Sequence, residues 1–432
     1  MRFITPSRVK GTIIAPPSKS MTGRALAAAL LSRGLSEIEN PSLSDDGLVS
    51  AEVIEALGAR IDPRGHARGA EGPTAAETGE NRFFVHGTGR DGLGRPEGVL
   101  NCRESGLAMR IFTPIAALIP GRTTLVASGS LITRPMGMME SLAALGASCV
   151  TDNGHAPIIV RGPLKGGHAS IDGSVTSQFL SGLLMALPLC ETDSLVTVVG
   201  LKSLPYVRMT VQLLRAFGVE IDHDDALGAF AVAGNQAYRP SACTVEGDWS
   251  GASFLLVAGA IAGDVTVRGL DPASLQADRA IIDVLAEAGA RVDAGRDHVS
   301  VERCDLRAFH VDATACPDLF PPLVALAGAC EGTSVIHGLD RLTHKESDRA
   351  RALSEEFGKM GIAVRPAGNA MEVRGGCAHG ALVDSHNDHR IAMACAVAGL
   401  VAKGRITLTG SSCVHKSYPA FFSDLAALGV ES

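Results

Sequence analysis

Two apolar patterns recur along the chain, each followed by a short run of alternating residues. The first is an amphipathic helix that closes on apolar–Gly–small–x–apolar. It stands as IEALGARID (54–62), SLAALGASCV (141–150), LLRAFGVEID (213–222), VLAEAGARVD (284–293), FGKMGIAVR (357–365) and DLAALGVES (424–432). A glycine just past a helix predicts a left-handed C-cap, and the alternation after it predicts a strand. The closing glycines, Gly58, Gly146, Gly218, Gly289, Gly361 and Gly429, lie 88, 72, 71, 72 and 68 residues apart. The second pattern is a helix apolar on most faces and rich in small residues: RALAAALLSRG (24–34), GLAMRIFTPIAALIPG (106–121), SQFLSGLLMALPL (177–189), GASFLLVAGAIAG (251–263), DLFPPLVALAGACEG (318–332) and HRIAMACAVAGLVAKG (389–404). Strand-like runs such as SLVTVVG (194–200) and RITLTG (405–410) follow. A helix apolar nearly all round is buried.

Each unit of about 70 residues therefore reads as strands plus one buried and one half-exposed helix. Solenoid repeats run to about 20–45 residues, so two clusters of three units are the compact solution. This predicts an α/β (α+β) protein of two globular domains, 17–243 and 1–16 plus 244–432, of three repeats each. The opening strand, Phe3–Ile14, is expected to pair across the boundary with the second half.

Composition narrows the function. Of 432 residues 46% are hydrophobic and only 4% aromatic, with 49 glycines, so the core is built from small aliphatic residues with close backbone approaches. A net charge of −7 argues against a general nucleic-acid binder, but not against a local anion site. The ten cysteines form no C-x-x-C pair and read as core residues in a reducing compartment. The N-terminus lacks an apolar signal core, and no stretch is long enough to span a bilayer, so a cytoplasmic protein without membrane partner is expected.

Polar clusters head the buried helices: Ser18-Lys19-Ser20 with Arg24, Arg103-Glu104-Ser105-Gly106, Thr176-Ser177-Gln178, Glu246-Gly247-Asp248-Trp249-Ser250, Asp318, and His386-Asn387-Asp388-His389-Arg390. Capping accounts for Ser105, Ser177 and Ser250. It does not account for Lys19, Arg24 and Arg390, because cations at a helix N-terminus oppose its dipole unless an anion sits there too. Arg134, Lys345, Arg349 and Lys416 occupy the connections. Should these helix starts face one another, the cations would surround ligands bearing phosphates and carboxylates. Asp318 and Glu346 sit among them as candidate acid or base groups, with an N-cap and an ion pair to Arg349 as their plainer roles. His386 and His389 make a weak metal motif without further ligands. No Walker, dinucleotide or nucleophile-elbow motif is present.

At these residues the chain resembles the EPSP synthase (3-phosphoshikimate 1-carboxyvinyltransferase) family of enolpyruvyl transferases. The resemblance runs end to end through PPSKSMTGRAL (16–26), SGLAMR (105–110), RPMG (134–137), DGSVTSQF (172–179), SLPY (203–206), EGDWSGAS (246–253), HKESDR (344–349), HNDHR (386–390) and CVHKSYP (413–419). It implies two domains of three βαββαβ units with helices inside (an inside-out α/β barrel), hinged around a central cleft. It implies transfer of the enolpyruvyl group of phosphoenolpyruvate to the 5-hydroxyl of shikimate 3-phosphate, in aromatic amino acid biosynthesis, without cofactor or metal, in a monomer. By motif, Lys19, Gly106, Arg134, Gln178, Arg349, Arg390 and Lys416 should line the phosphoenolpyruvate site. Lys19, Ser20, Arg24, Thr176, Ser177, Gln178, Ser203, Asp318 and Lys345 should hold shikimate 3-phosphate. Asp318 should act as base, and Glu346, with Lys19 and Lys416, should handle the proton on the methylene carbon. Glu104 and Leu107 depart from the Asn and Thr usual in the family. UDP-N-acetylglucosamine 1-carboxyvinyltransferase shares this fold and donor, but its Lys-Asn pair is Lys19-Ser20 here and residues 128–133 hold no Cys. A non-catalytic scaffold would have lost acids or clamps, and all are present.

Overall fold

The computed structural model describes residues 1–62 and 81–431. Ser432, the last residue of the sixth closing segment, lies outside them. The chain divides into two compact units, one of Met1–Pro16 with Glu246–Ser432 and one of Pro17–Val245.

Three central helices pack together in each unit. They are Lys19–Leu31, Gly106–Ala116 and Gln178–Ala186 in one, and Trp249–Ala262, Phe320–Gly328 and His389–Gly399 in the other. Every residue of the Gly106–Ala116, Trp249–Ala262, Phe320–Gly328 and His389–Gly399 helices is buried. Small residues allow the close approach. A Cβ on Gly182 would stand 2.5 Å from the Ile111 carbonyl oxygen of the neighbouring helix. Burial of each Leu, Ile or Val in these clusters contributes about 1.5–3 kcal/mol, so the helices owe their stability to packing rather than to polar faces.

Among the described residues six separate mixed sheets flank the central helices. In a typical one the strands run Gly167–Asp172, Ser194–Val199, Ala229–Val232 and Asp222–His223, the first pair parallel and the rest antiparallel. Along the chain this is strand, central helix, strand, outer helix and hairpin, or βαβαββ, where βαββαβ was expected. The physical reason is connection length: a parallel pair needs a helical crossover, whereas the last two antiparallel strands need only a tight turn. All six closing glycines adopt positive φ, between 79° and 108°, as the C-cap pattern predicted. One outer element departs from the rest, since Gly137–Leu145 is a 3-10 helix.

Strands distant in sequence complete several of these sheets. Arg2–Ile4 pairs with Ile406–Thr409, and Val9–Ile14 runs parallel to Gly263–Arg268. The opening strands thus join the second half, as expected. Ala242–Thr244 in turn runs parallel to Arg33–Glu39 and completes the first sheet of the other unit. All ten cysteines are free thiols, six of them buried and Cys377 exposed. Among the described residues no helix is long and apolar enough to cross a membrane.

Candidate functional site

The central-helix starts carry the candidate residues, and each unit holds its own set. Capping follows local chemistry, though not always at the expected residue. Ser105 accepts from the Ala108 N–H and Asp248 from the N–H groups of Ser250 and Gly251. Ser177 occupies a cap position without a side-chain cap bond; the Thr176 hydroxyl instead accepts from the Gln178 N–H at 3.2 Å. Ser250 is not a cap: it lies inside its helix and donates to Asp278. Asp318 sits within the Pro317–Leu319 3-10 turn that leads into its helix and is not the cap residue.

In the unit formed by Pro17–Val245, Arg24 is buried inside the first central helix. Its guanidinium donates to Thr210 Oγ1 at 2.8 Å, the Ser20 carbonyl at 2.9 Å and Ser181 Oγ at 3.2 Å. Among the described residues no carboxylate bonds it, and burial pulls it down to about 10. Lys19, one turn earlier, is held by buried Asp46 at 2.7 Å. Arg110 donates to Gln178 Oε1 at 3.0 Å and to the Pro135 carbonyl at 3.2 Å. A side chain on Gly106 would meet Arg110 and Arg134 guanidinium nitrogens at 2.9 and 3.0 Å, so this glycine leaves room for two neighbouring cations. Ser203, buried with φ 58°, heads the Leu204–Ala216 helix.

In the other unit the cations are already paired. Asp318 accepts from Lys345 at 3.2 Å, Arg349 at 2.8 Å and Arg390 at 3.1 Å. Burial alone would raise its carboxyl, but Arg390, Lys345 and Arg349 hold it well below the usual carboxylate range. Arg349 also reaches Glu346 at 2.8 Å and the fully buried Asp388 at 2.7 Å. Burial works against the Arg349 charge; Asp388, Glu346 and Asp318 more than offset it and raise the guanidinium above its ordinary value. Lys345 is lowered to about 8 by burial, with Asp318 opposing. Lys416 is buried at the end of the Ser411–Lys416 3-10 helix, against the His389–Gly399 helix. Behind the cluster, Asp278 is buried and accepts from Ser250. Burial pushes its carboxyl up to about 7, and Asp318 adds to the rise while Arg390 opposes it.

The structure thus brings Asp318, Lys345, Glu346, Arg349 and Arg390 into one bonded cluster. Within the other unit it links Gly106, Arg110, Arg134 and Gln178, and separately Ser20 with Arg24. Sequence reasoning missed Asp46, Arg110 and Asp278. Arg110 had a signal, four residues after Gly106 on the same helix face. Asp46 and Asp278 sit at starts of outer elements and have meaning only through their tertiary partners. His386 meets Glu355 and Glu356 rather than His389.

The EPSP synthase (3-phosphoshikimate 1-carboxyvinyltransferase) family model matches residues 4–425. A Halobacterium salinarum protein named 3-phosphoshikimate 1-carboxyvinyltransferase is 40% identical over 444 residues, covering 99% of both chains. A Thermococcus kodakarensis protein of the same name is 40% identical over 428 residues, covering 97% of this chain and 98% of its own. The solved EPSP synthase from Acinetobacter baumannii superposes with a TM-score of 0.80 at 26% identity, over 99% of each chain. With that full-length agreement, and with helix starts rich in clustered cations, this chain belongs to the EPSP synthase family.

Proposed function

We propose that the chain transfers the enolpyruvyl group of phosphoenolpyruvate to the 5-hydroxyl of shikimate 3-phosphate. The observation that carries this reading is Asp318 gripped by Lys345, Arg349 and Arg390. Each substrate bears a phosphate and a carboxylate, and only a strongly cationic site offsets the repulsion of bringing them together. In the other unit Arg24 is a buried cation with neutral partners, which suits the phosphate of shikimate 3-phosphate. Ser20, Thr176, Ser177, Gln178 and Ser203 supply further polar groups for that substrate, and Lys19, Gly106, Arg134 and Lys416 for phosphoenolpyruvate.

The resting cluster keeps Asp318 ionised but too weak a base. Anions of phosphoenolpyruvate compete for Arg349 and Arg390, and those of shikimate 3-phosphate for Lys345, as they bind. Their withdrawal raises the Asp318 carboxylate toward useful basicity at the moment the hydroxyl arrives. The 5-hydroxyl gives its proton to Asp318 as its oxygen bonds to C2 of phosphoenolpyruvate, while C3 takes a proton. Glu346, Lys19 and Lys416 handle that proton, and the Glu346 carboxylate steadies the cationic carbon. The tetrahedral intermediate then expels phosphate, whose charge Arg and Lys side chains stabilise, and loses a C3 proton to restore the double bond. No step calls on a metal or cofactor.

A phosphate-release assay with phosphoenolpyruvate tests this. Release with shikimate 3-phosphate and none with UDP-N-acetylglucosamine is expected; the reverse refutes the reading. Asp318→Ala should lower kcat by about 10²–10⁴-fold with little change in shikimate 3-phosphate affinity. A pure affinity loss contradicts its role as base.

A further inference from the structure

The Arg349–Lys359 helix holds the segment before the last central helix at two points. At its first turn Arg349 grips Asp388, with Nε at 2.7 Å and a terminal nitrogen at 3.3 Å. Seven residues on, two turns along the same face, Glu356 is completely buried. Its carboxylate accepts from the Asp384 N–H at 2.9 Å and from His386 Nε2 at 2.7 Å. Because an ionised carboxylate only accepts, the His386 nitrogen facing it carries the proton. Lys359 reaches both Glu356 oxygens at 2.8 Å. Glu355, Glu356 and His386 could be taken for a cation site, but the Lys359 ammonium already supplies the positive charge there.

The segment so held is strained. His386 and Asn387 have φ of 50° and 53°, consecutive non-glycine residues in the left-handed region. Such backbone costs on the order of 1–3 kcal/mol per residue and persists only where its surroundings over-determine it. Around it, the His386 N–H donates to Asp384 Oδ1 at 2.6 Å and the Asn387 N–H to Ser385 Oγ at 3.2 Å. The next residue is Asp388, which caps the last central helix through the Arg390 N–H at 2.9 Å and also accepts from Ser347 at 3.1 Å. Arg390 then meets Asp318.

We propose that Glu356 is a positioning residue: by fixing Asp384 and His386 it holds the 384–388 turn so that Asp388 presents Arg349 and Arg390 to the phosphoenolpyruvate anions. Glu356 touches no substrate and acts through the two guanidiniums. This inference rests on the assignment of Arg349 and Arg390 to phosphoenolpyruvate made above.

Steady-state kinetics of the full chain, with each substrate varied separately, test it. Glu356→Gln puts an amide N–H₂ against the Lys359 and His386 donors. It should raise KM for phosphoenolpyruvate about tenfold and leave KM for shikimate 3-phosphate within about twofold, a misplacement effect of ordinary size. His386→Ala, at a partly exposed ring, removes one strut and keeps the Glu356–Lys359 pair; a rise of about threefold in the same KM is expected. Val301→Ala, a core truncation on another sheet, controls for stability and should split neither KM. Equal rises in both KM values, or losses that track only the folded fraction, overturn the proposal. Arg349→Lys separates the two layers of the argument. If it raises the phosphoenolpyruvate KM while Glu356→Gln and His386→Ala do not, the positioning role fails and the site assignment stands. If none of the three raises it, both fail.

Discussion

The two units carry the same repeat and opposite electrostatic strategies. Around Arg24 the cation is buried among hydroxyls and a carbonyl, so its charge is unanswered until an anion arrives. Around Arg349 the charge is answered in advance by Asp318, Glu346 and Asp388. The first arrangement sacrifices stability for affinity, because a buried ion without a partner costs several kcal/mol. The second protects stability and makes the ligand compete with internal carboxylates. That competition has a chemical use, since it couples arrival of the anionic donor to the basicity of Asp318. Lys19, paired with Asp46, shows that the first unit is not without acids; the difference is local to Arg24.

The sharpest way to break this comparison is to remove each arginine. Arg349→Met leaves three carboxylates facing one another, two of them nearly or fully buried, and should destabilise the protein by about 3–5 kcal/mol, read as a fall in the urea midpoint. A loss below about 1 kcal/mol would mean that the cluster is not the pre-paired system described. Arg24→Met should behave in the opposite sense. Its thermal midpoint is expected to hold or rise, while shikimate 3-phosphate binding, followed by calorimetry, weakens by about 2 kcal/mol or more, a factor of roughly thirty. A large fall in midpoint would show that the apo protein already satisfies that charge.

A smaller effect concerns Asp278, the acid behind the paired cluster, which shares its surroundings with Asp318, Arg390 and Asp248. Its folded value, about 7, lies above the ordinary 3.8. The stability linked to its proton is therefore fully present below the unfolded value and lost as pH rises through 7. Asp278→Asn abolishes that loss. Relative to the parent, the variant should gain about 2 kcal/mol between pH 5.5 and pH 8, measured by urea unfolding at both. A pH-independent difference would place the carboxyl in a more polar setting than its burial implies.

The sixfold repeat was legible in the chain alone. Its marks are local: an αL glycine, an all-apolar helix and an alternating strand are each dictated by backbone sterics and burial within a few residues. The helix-start cations were legible for a similar reason, since Lys19, Arg24 and Arg390 stand where a helix dipole disfavours them. The order of outer helix and hairpin was not, because strand pairing is settled by contacts between distant residues. Nor were the ion-pair partners. Asp388 sits one residue from a strained turn and 39 positions from Arg349, and Asp46 is 27 positions from Lys19. No periodicity links such residues; they meet only when separate elements pack. Whether a cation waits for its anion or already holds one depends on that packing, because burial and the distance between charges, not residue identity, set the energy of a charge.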